Sequence, residues 1–423
     1  VERYHGTDFL HLFEELISQL PELQYVVTVG EEDLWYDDRI FQLEDLLSAG
    51  EGRDYEAAGL DPESALFAIL YTSGTTGKPK GVRLTHANVL GAAAAGVEAL
   101  GLTAEDRLAG VTGLFHAFGI VHGILGPILT GASLVLHDGF DGAGVLDLMA
   151  RHSVTVQLSV PALLRVQAYE QEKDPRDLSA LRLVVAAGAP IEAELFERVR
   201  SSMESEIAVA YGLTETGGAA AVALPQDGEE NVRQTVGRAV PGVELRIVDP
   251  GGVQLPVESV GEIAVRGPGV MVGYHRQPVE TAGAMDSEGF LLTGDLGMLD
   301  EMGFLHLVGR RKEVIIRSGF SVHPREVEER LLVHPAVQDA VVVGLADDAL
   351  GEALCACVVP VEGAIVDGDE IVQWCSLTLA DYKTPDLVRF LDAFPLTGTG
   401  KVRRAELSRM VRAQELSQPD TGA

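Results

Sequence analysis

Lysine is scarce in this chain, occurring only at positions 78, 80, 173, 312, 383 and 401 against 26 arginines. Wherever a general cation suffices the chain uses Arg, so a retained Lys points to a place that needs a compact ammonium rather than a planar fork. Positive charge as a whole is in short supply. The 32 Lys and Arg residues face 64 Asp and Glu, a formal net charge of -32. That balance excludes the usual nucleic-acid binders, whose phosphate contacts need a basic surface, and it disfavours electrostatic docking on anionic membranes. No apolar run reaches the ~18 residues that a spanning helix needs. Neither an integral membrane segment nor a secretory leader is expected. Cysteine is rare too: Cys355, Cys357 and Cys375 lie late in the chain without metal-type spacing or a His cluster. They read as small buried apolar residues of a protein in a reducing, cytoplasmic compartment.

What is present is an ordinary globular balance, 46% hydrophobic and 23% charged over 423 residues, enough for two or three domains. Residues 1–234 alternate helical and strand patterns. Ala65–Tyr71, Val154–Leu158, Leu181–Ala187 and Ile207–Ala210 are apolar runs of the buried-strand type. His86–Leu100 and Ala189–Met203 read as helices, the latter with Pro190 in its first turn. This is α/β architecture. Residues 235–309 are punctuated by Gly and Pro between short strands and read as a small β subdomain. Residues 310–423 mix strands with helices near 324–333 and 368–379, as a compact α+β domain would.

The densest chemical signal is Tyr71-Thr-Ser-Gly-Thr-Thr-Gly-Lys-Pro-Lys-Gly81, with three glycines and four Ser or Thr hydroxyls directly after an apolar strand. Backbone N–H groups there can approach an anion closely, and Lys78 and Lys80 supply charge for a polyphosphate. The spacing is not that of the P-loop NTPases, since only Thr75-Thr76 separate Gly74 from Gly77, and Pro79 opposes a following helix. An ordinary phosphohydrolase is therefore disfavoured. In Tyr211-Gly-Leu-Thr-Glu-Thr216, Tyr211 can stack on a purine, Thr214 can bond a phosphate and Glu215 can ligate Mg²⁺.

The loop resembles the phosphate loop of the adenylate-forming superfamily, which includes acyl- and aryl-CoA synthetases. Further motifs follow in that family's order along nearly the whole chain. The resemblance implies that Thr72, Ser73, Gly74, Thr75, Thr76, Gly77 and Lys78 grasp ATP, with Thr72 also catalytic. It assigns Gly188-Ala189-Pro190 to the adenine. Tyr211, Gly212, Thr214 and Glu215 belong to the adenine and magnesium motif, Glu215 being both catalytic and the Mg²⁺ ligand. Asp295 in Thr293-Gly-Asp295 and Arg310 in Gly309-Arg310 are implied ribose contacts. Lys312 falls at the inter-domain hinge, and Gly319 in the loop lining the thiol tunnel. Glu326 and Glu328 nearby read as surface charges of a helix start. Lys401 in Pro395-Leu-Thr-Gly-Thr-Gly-Lys401 matches the catalytic lysine, whose ammonium would neutralise charge as the acyl-phosphate bond forms.

Gly113-Leu-Phe-His-Ala-Phe-Gly119 resembles the motif bordering the acyl pocket, with His116 near the carboxylate and tunnel. An Asp that would hold an α-amino group is absent, so an amino-acid substrate is disfavoured. Gly217, Gly218 and Ala219–Ala221 are small and would leave volume for an aliphatic chain. The resemblance thus implies an acid–thiol ligase. Its substrates would be a carboxylic acid (a medium- or long-chain fatty acid), Mg-ATP and coenzyme A, with an acyl carrier protein as alternative acceptor. Another class is an inactive homologue serving as a binding module, against which Lys401, Glu215, Asp295 and Arg310 argue. A homodimer is compatible with the sequence. The chain begins at Val1 and reaches the phosphate loop sooner than relatives do, so part of the N-terminal subdomain is expected to be missing.

Overall fold

The computed structural model describes residues 3–4, 7–29, 39–54, 59–72, 79–137, 141–347, 349–396 and 402–417. It has two compact units, Val1–Leu60 and Asp61–Ala423. In the first, helix Phe9–Ile17 is capped by Asp8, whose side chain accepts from the His11 N–H at 3.0 Å. Strands Val26–Thr28 and Ile40–Gln42 pair in parallel.

The second unit is organised by a sheet of seven strands. Five of them, Ser133–Leu136, Arg107–Gly110, Val156–Ser159, Leu183–Ala187 and Glu206–Leu213, form its parallel part in that spatial order. Gly218–Ala223 and Arg238–Ala239 extend it in antiparallel fashion. Parallel strands buried on both faces need apolar residues at every position, and Leu183–Ala187 supplies them. Val184 and Ala186 face one core, with helices Gly142–His152, Pro161–Lys173 and Ala193–Met203, while Leu183, Val185 and Ala187 face another, which Ala95 and Leu100 of helix His86–Leu100 help to fill. Helix His86–Leu100 begins and ends where its pattern does, because Thr85 and Asn88 form a capping box and Gly101 closes it at φ 58°.

Helix Ala193–Met203 starts four residues later than its sequence pattern suggests. Gly188 turns left-handed at φ 84°, and the residue before a proline avoids helical torsions. Pro190 therefore lies in the approach to the helix, not in its first turn.

Four antiparallel strands follow, ordered Glu244–Val248, Gly261–Arg266, Leu291–Leu299 and Leu305–Arg310. A separate sheet pairs Gly273–Tyr274, Lys80–Thr85 and Leu66–Thr72. The last sheet is centred on Gly351–Pro360, flanked by Val337–Asp347 and by the parallel strand Leu387–Phe390. Cys355, Cys357 and Cys375 are thiols buried in this part, as their sequence setting led one to expect. Glu328 corrects the reading of a solvated helix start. It is 9% exposed, and its carboxylate accepts from the Val342 N–H at 2.7 Å and from Arg404. The helix turns this position toward a strand edge, where an unpaired N–H needs an acceptor. Glu326 accepts from Lys383 at 2.6 Å.

At the N-terminal ends of the parallel strands, buried Asp106 accepts from Arg182 at 2.9 and 2.8 Å, from the Thr155 hydroxyl at 2.7 Å and from the Thr103 N–H at 2.9 Å. Burial alone would raise this carboxyl, but Arg182, Thr103 and Thr155 outweigh it and bring it down to about 2. Its stabilisation is full above the unfolded value near 3.8 and is lost as pH falls through about 2. Asp106→Asn is expected to cost about 2 kcal/mol at neutral pH. Denaturant titrations of both proteins at neutral pH and near pH 2 will show the difference shrinking in acid.

Candidate active site

In open α/β sheets, ligands bind beyond the carboxyl ends of the parallel strands. Two sequence-selected segments leave the sheet there: Gly188-Ala189-Pro190 follows strand Leu183–Ala187, and Thr214-Glu215 follows strand Glu206–Leu213. Gly188, Ala189 and Pro190 are exposed.

Asp295 and Arg310 face each other on neighbouring strands of the four-stranded sheet, and Tyr211 joins them from the seven-stranded sheet. Asp295 is 6% exposed. One of its oxygens accepts from the Tyr211 hydroxyl at 3.0 Å, and the other lies 2.9 Å from Arg310 Nε. The Asp295 N–H donates to Thr293 Oγ1 at 3.1 Å, and that hydroxyl donates to the Ile263 carbonyl at 2.8 Å. Gly294 makes the bend at φ 75°, with its N–H held by the buried Glu262 carboxylate at 2.9 Å. Burial, reinforced by Asp295, pushes the Tyr211 phenol well above its ordinary range, so it remains a donor. The carboxylate has acceptor sites beyond the two used here, as a diol partner requires.

A second cluster surrounds Glu215, and sequence reasoning, which had singled out Lys80, missed Tyr274 in it. Tyr274 donates from its hydroxyl to Glu215 Oε1 at 3.0 Å, and Lys80 Nζ stands 4.6 Å from the Tyr274 ring centroid. Burial first, and then the adjacent Glu215 charge, raises the Tyr274 phenol. The Met271 N–H donates to the Glu215 carbonyl at 2.9 Å. Tyr274 stands in a short strand paired to Lys80–Thr85, so its relation to Glu215 rests on sheet pairing, and no local spacing announces it.

The glycines around Glu215 are required by close approach. A Cβ on Gly212 would lie 1.8 Å from the Gly218 carbonyl oxygen. Gly217, at φ 68°, faces the Gly269 carbonyl, and Gly218, at φ 118°, faces the His122 ring. This corrects the view that these positions leave open volume: the backbone of Gly269 and the His122 imidazole occupy it. His122 is the other unforeseen residue. It lies in the π-helical turn Phe118–Leu125, accepts from the Ala219 N–H at 2.9 Å, and also presses on Gly96. A His in an apolar run carries no signal that separates core from site.

Thr72 and Lys80 face each other across the ladder at the base of the phosphate loop. Ser73, Gly74, Thr75, Thr76, Gly77 and Lys78 lie outside the described residues, as does Lys401. Thr214 is half-buried. His116 stacks obliquely with Phe115, ring centroids 4.7 Å apart. Lys312 stands in the single turn Arg311–Glu313, directly after Arg310. Gly319 is at φ 83° and Ser318 at φ 51°, a two-residue hairpin turn between Ile315–Arg317 and Phe320–Val322. Among the described residues, no three His, Cys, Asp or Glu side chains cluster as a metal cage, and no helix is long and apolar enough to cross a membrane.

Comparison with known proteins agrees with this arrangement. Residues 10–275 match the model of the AMP-binding enzyme family, and residues 326–401 that of the AMP-binding enzyme C-terminal domain. The chain is 36% identical to the medium-chain fatty-acid–CoA ligase of Escherichia coli over 92% of its own length and 68% of the relative's. It is 36% identical to a feruloyl-CoA synthase of an Amycolatopsis species, covering 81% and 69%. Among solved structures, the anthranilate CoA ligase AuaEII with anthranoyl-AMP superposes with a TM-score of 0.86 at 28% identity, covering 97% of this chain and 78% of that one. ATP-bound MatB from Rhodopseudomonas palustris gives 0.81 at 31% identity, covering 88% and 74%. The chain belongs to the AMP-binding enzyme family, the adenylate-forming superfamily, and within it to the AMP-forming acyl-CoA synthetases, which are acid–thiol ligases.

His122 generates a pH prediction. Burial lowers its pKa to about 4, from 6.5 for a free imidazole. Below pH 6.5 the unfolded chain takes a proton that the folded chain refuses, so stability is full above that pH and falls until about pH 4. The whole loss amounts to about 3 kcal/mol. Urea unfolding of the parent and of His122→Asn at pH 7 and pH 5 measures it, with the variant losing less stability between the two.

Proposed function

We propose that the chain joins a medium- or long-chain fatty acid to coenzyme A in two steps on one site. In the first, a carboxylate oxygen attacks the α-phosphorus of ATP; the acyl–O–P bond forms, the bond to the β-phosphate breaks, and pyrophosphate leaves. In the second, a thiol attacks the acyl carbonyl, the C–O bond to AMP breaks, and the thiol proton passes to solvent. The observation that carries this reading is the buried Asp295 carboxylate, oriented by Tyr211 and Arg310 beside the strand end that bears Glu215.

In this reading Asp295 and Arg310 bind the ribose. Tyr211, Gly212 and Gly188-Ala189-Pro190 receive the adenine. Thr214 and the loop from Thr72 to Lys78 hold the phosphates. Glu215 has one oxygen engaged by Tyr274 and a second for a hard cation, and a site of few protein oxygens suits Mg²⁺, which keeps waters and substrate phosphates as its other ligands. When bound, Mg²⁺ neutralises phosphate charge. Lys401 places an ammonium between the carboxylate and the α-phosphate. Residues 310–423 then rotate about Lys312, replacing Lys401 by the Gly319 loop and opening a path past His116 and Gly217 for the thiol. A fatty tail is supported by the 36% identity to the medium-chain fatty-acid–CoA ligase of Escherichia coli. The acceptor thiol is coenzyme A in preference to a carrier-protein phosphopantetheine, which the same site chemistry would accept.

Acids of graded length are expected to elicit pyrophosphate and AMP, with the rate rising toward medium and long chains. Release of ADP and orthophosphate would sink the reading. Lys401→Ala should slow acid-dependent ATP–pyrophosphate exchange by roughly two orders of magnitude or more, about 3 kcal/mol. Thioester formation from a supplied acyl-adenylate should survive.

Tyr274→Phe leaves the fold intact but frees the Glu215 carboxylate. The Mg²⁺ concentration for half-maximal exchange should rise roughly tenfold, as when a partner behind a metal ligand is lost. An unchanged Mg²⁺ dependence would remove Tyr274 from the site.

A further inference from the structure

The residues that flank 397–401 are tied to each other. Leu396 and Val402 form an antiparallel bridge, and the Arg403 N–H donates to the Pro395 carbonyl at 2.8 Å. The next residue, Arg404, opens helix Arg404–Ser417. A guanidinium in a first turn stands at the positive end of the helix dipole, where cations are disfavoured. Arg404 is nevertheless half-buried there, its side chain 27% exposed, so its surroundings must offset both the dipole and the partial desolvation.

They do so with three partners from three segments. Nη1 and Nη2 donate to the two oxygens of Glu328 at 2.7 and 2.9 Å, a fork-to-fork pair with helix Pro324–Leu332. Nη1 also donates to the Val342 carbonyl at 3.0 Å, while the Val342 N–H donates back to Glu328 at 2.7 Å. Finally, Nε lies 3.3 Å from Glu313 Oε2. Glu313 is the residue directly after Lys312. Burial raises its carboxyl, while Arg404 and Arg310 oppose that rise. The helix itself is held by Leu407 and Val411, both fully buried against Val341, Val343, Cys355 and Cys357.

We propose that Arg404 is a positioning residue for adenylation: its clasp on Glu328 and Glu313 fixes the base of the Lys401 loop to the hinge turn. The idea rests on the role assigned above to Lys401. Glu328 and Val342 supply the floor, and Glu313 supplies the link to Lys312, so the anchor that follows Lys401 is tied to the turn proposed above as the hinge. Only a planar fork can serve these partners together. A lysine at 404 therefore cannot substitute.

The test measures the two half-reactions separately in Arg404→Gln, Arg404→Lys, Glu313→Gln and Lys401→Ala. Displacing a reacting group by about 1 Å costs up to a hundredfold. Accordingly, Arg404→Gln should lower kcat for ATP–pyrophosphate exchange by roughly tenfold to a hundredfold, with KM for ATP little changed. Thioester formation from supplied acyl-adenylate should stay close to the parent rate. Arg404→Lys should not restore exchange, and Glu313→Gln should lose part of it. Exchange preserved in the Arg404 and Glu313 variants, or a proportional fall in both half-reactions, overturns the clasp. If Arg404→Gln does not fold, Glu313→Gln decides alone, because the Glu328 pair is intact in it. Lys401→Ala separates the two ideas. If it abolishes exchange while the other variants do not, the clasp alone falls; if it leaves exchange intact, the role of Lys401 falls and the clasp with it.

Discussion

A carboxylate taken out of water must be met by donors or it is too costly to keep. At Asp295 the donors are Tyr211 and Arg310, and that requirement binds three parts of the chain together. Tyr211 comes from the parallel sheet, Asp295 from a strand of the antiparallel sheet, and Arg310 from the last residue before the turn that leads into the C-terminal part. Asp295 and Arg310 already face each other in the antiparallel ladder, and the buried charge adds Tyr211 of the parallel sheet to the pair. The positive φ at Gly294 and the Glu262 acceptor behind it bend the strand to make the meeting possible.

The same economy governs the C-terminal part. Glu328 and Arg404 meet the unpaired backbone of strand Val337–Asp347 at Val342 and each other, leaving neither charge alone. Glu313 adds a third charge beside the turn that holds Lys312. Ionic contacts therefore run from Asp295 through Arg310 to the turn, and from Glu313 to the helix that follows Lys401. Both stretches of that line meet at the single turn Arg311–Glu313.

Glycine and histidine around Glu215 show how a pocket wall is read wrongly from side-chain size. Gly217 and Gly218 are small because a carbonyl and an imidazole press on them, a matter of close packing and not of vacancy. The sequence relatives act on medium-chain fatty acids and on ferulate according to their names, so the shared framework supports different acids.

The sequence by itself determined the family, the order of the nucleotide motifs and the parallel α/β core, because these depend on local residue patterns. Apolar runs such as Leu183–Ala187 and the helical pattern of His86–Leu100 act over a few residues and are legible without neighbours. The tertiary structure alone decided the partners. Tyr274 beside Glu215, His122 beneath Ala219, Glu328 turned inward to Arg404, and helix Ala193–Met203 delayed past Pro190 all depend on which segments pack together. A tyrosine, a histidine or a glutamate has the same identity in solvent as in a core. Which of them becomes a hydrogen-bond donor, a filler or a buried charge is settled by burial and by the need to satisfy every polar group that burial removes from water.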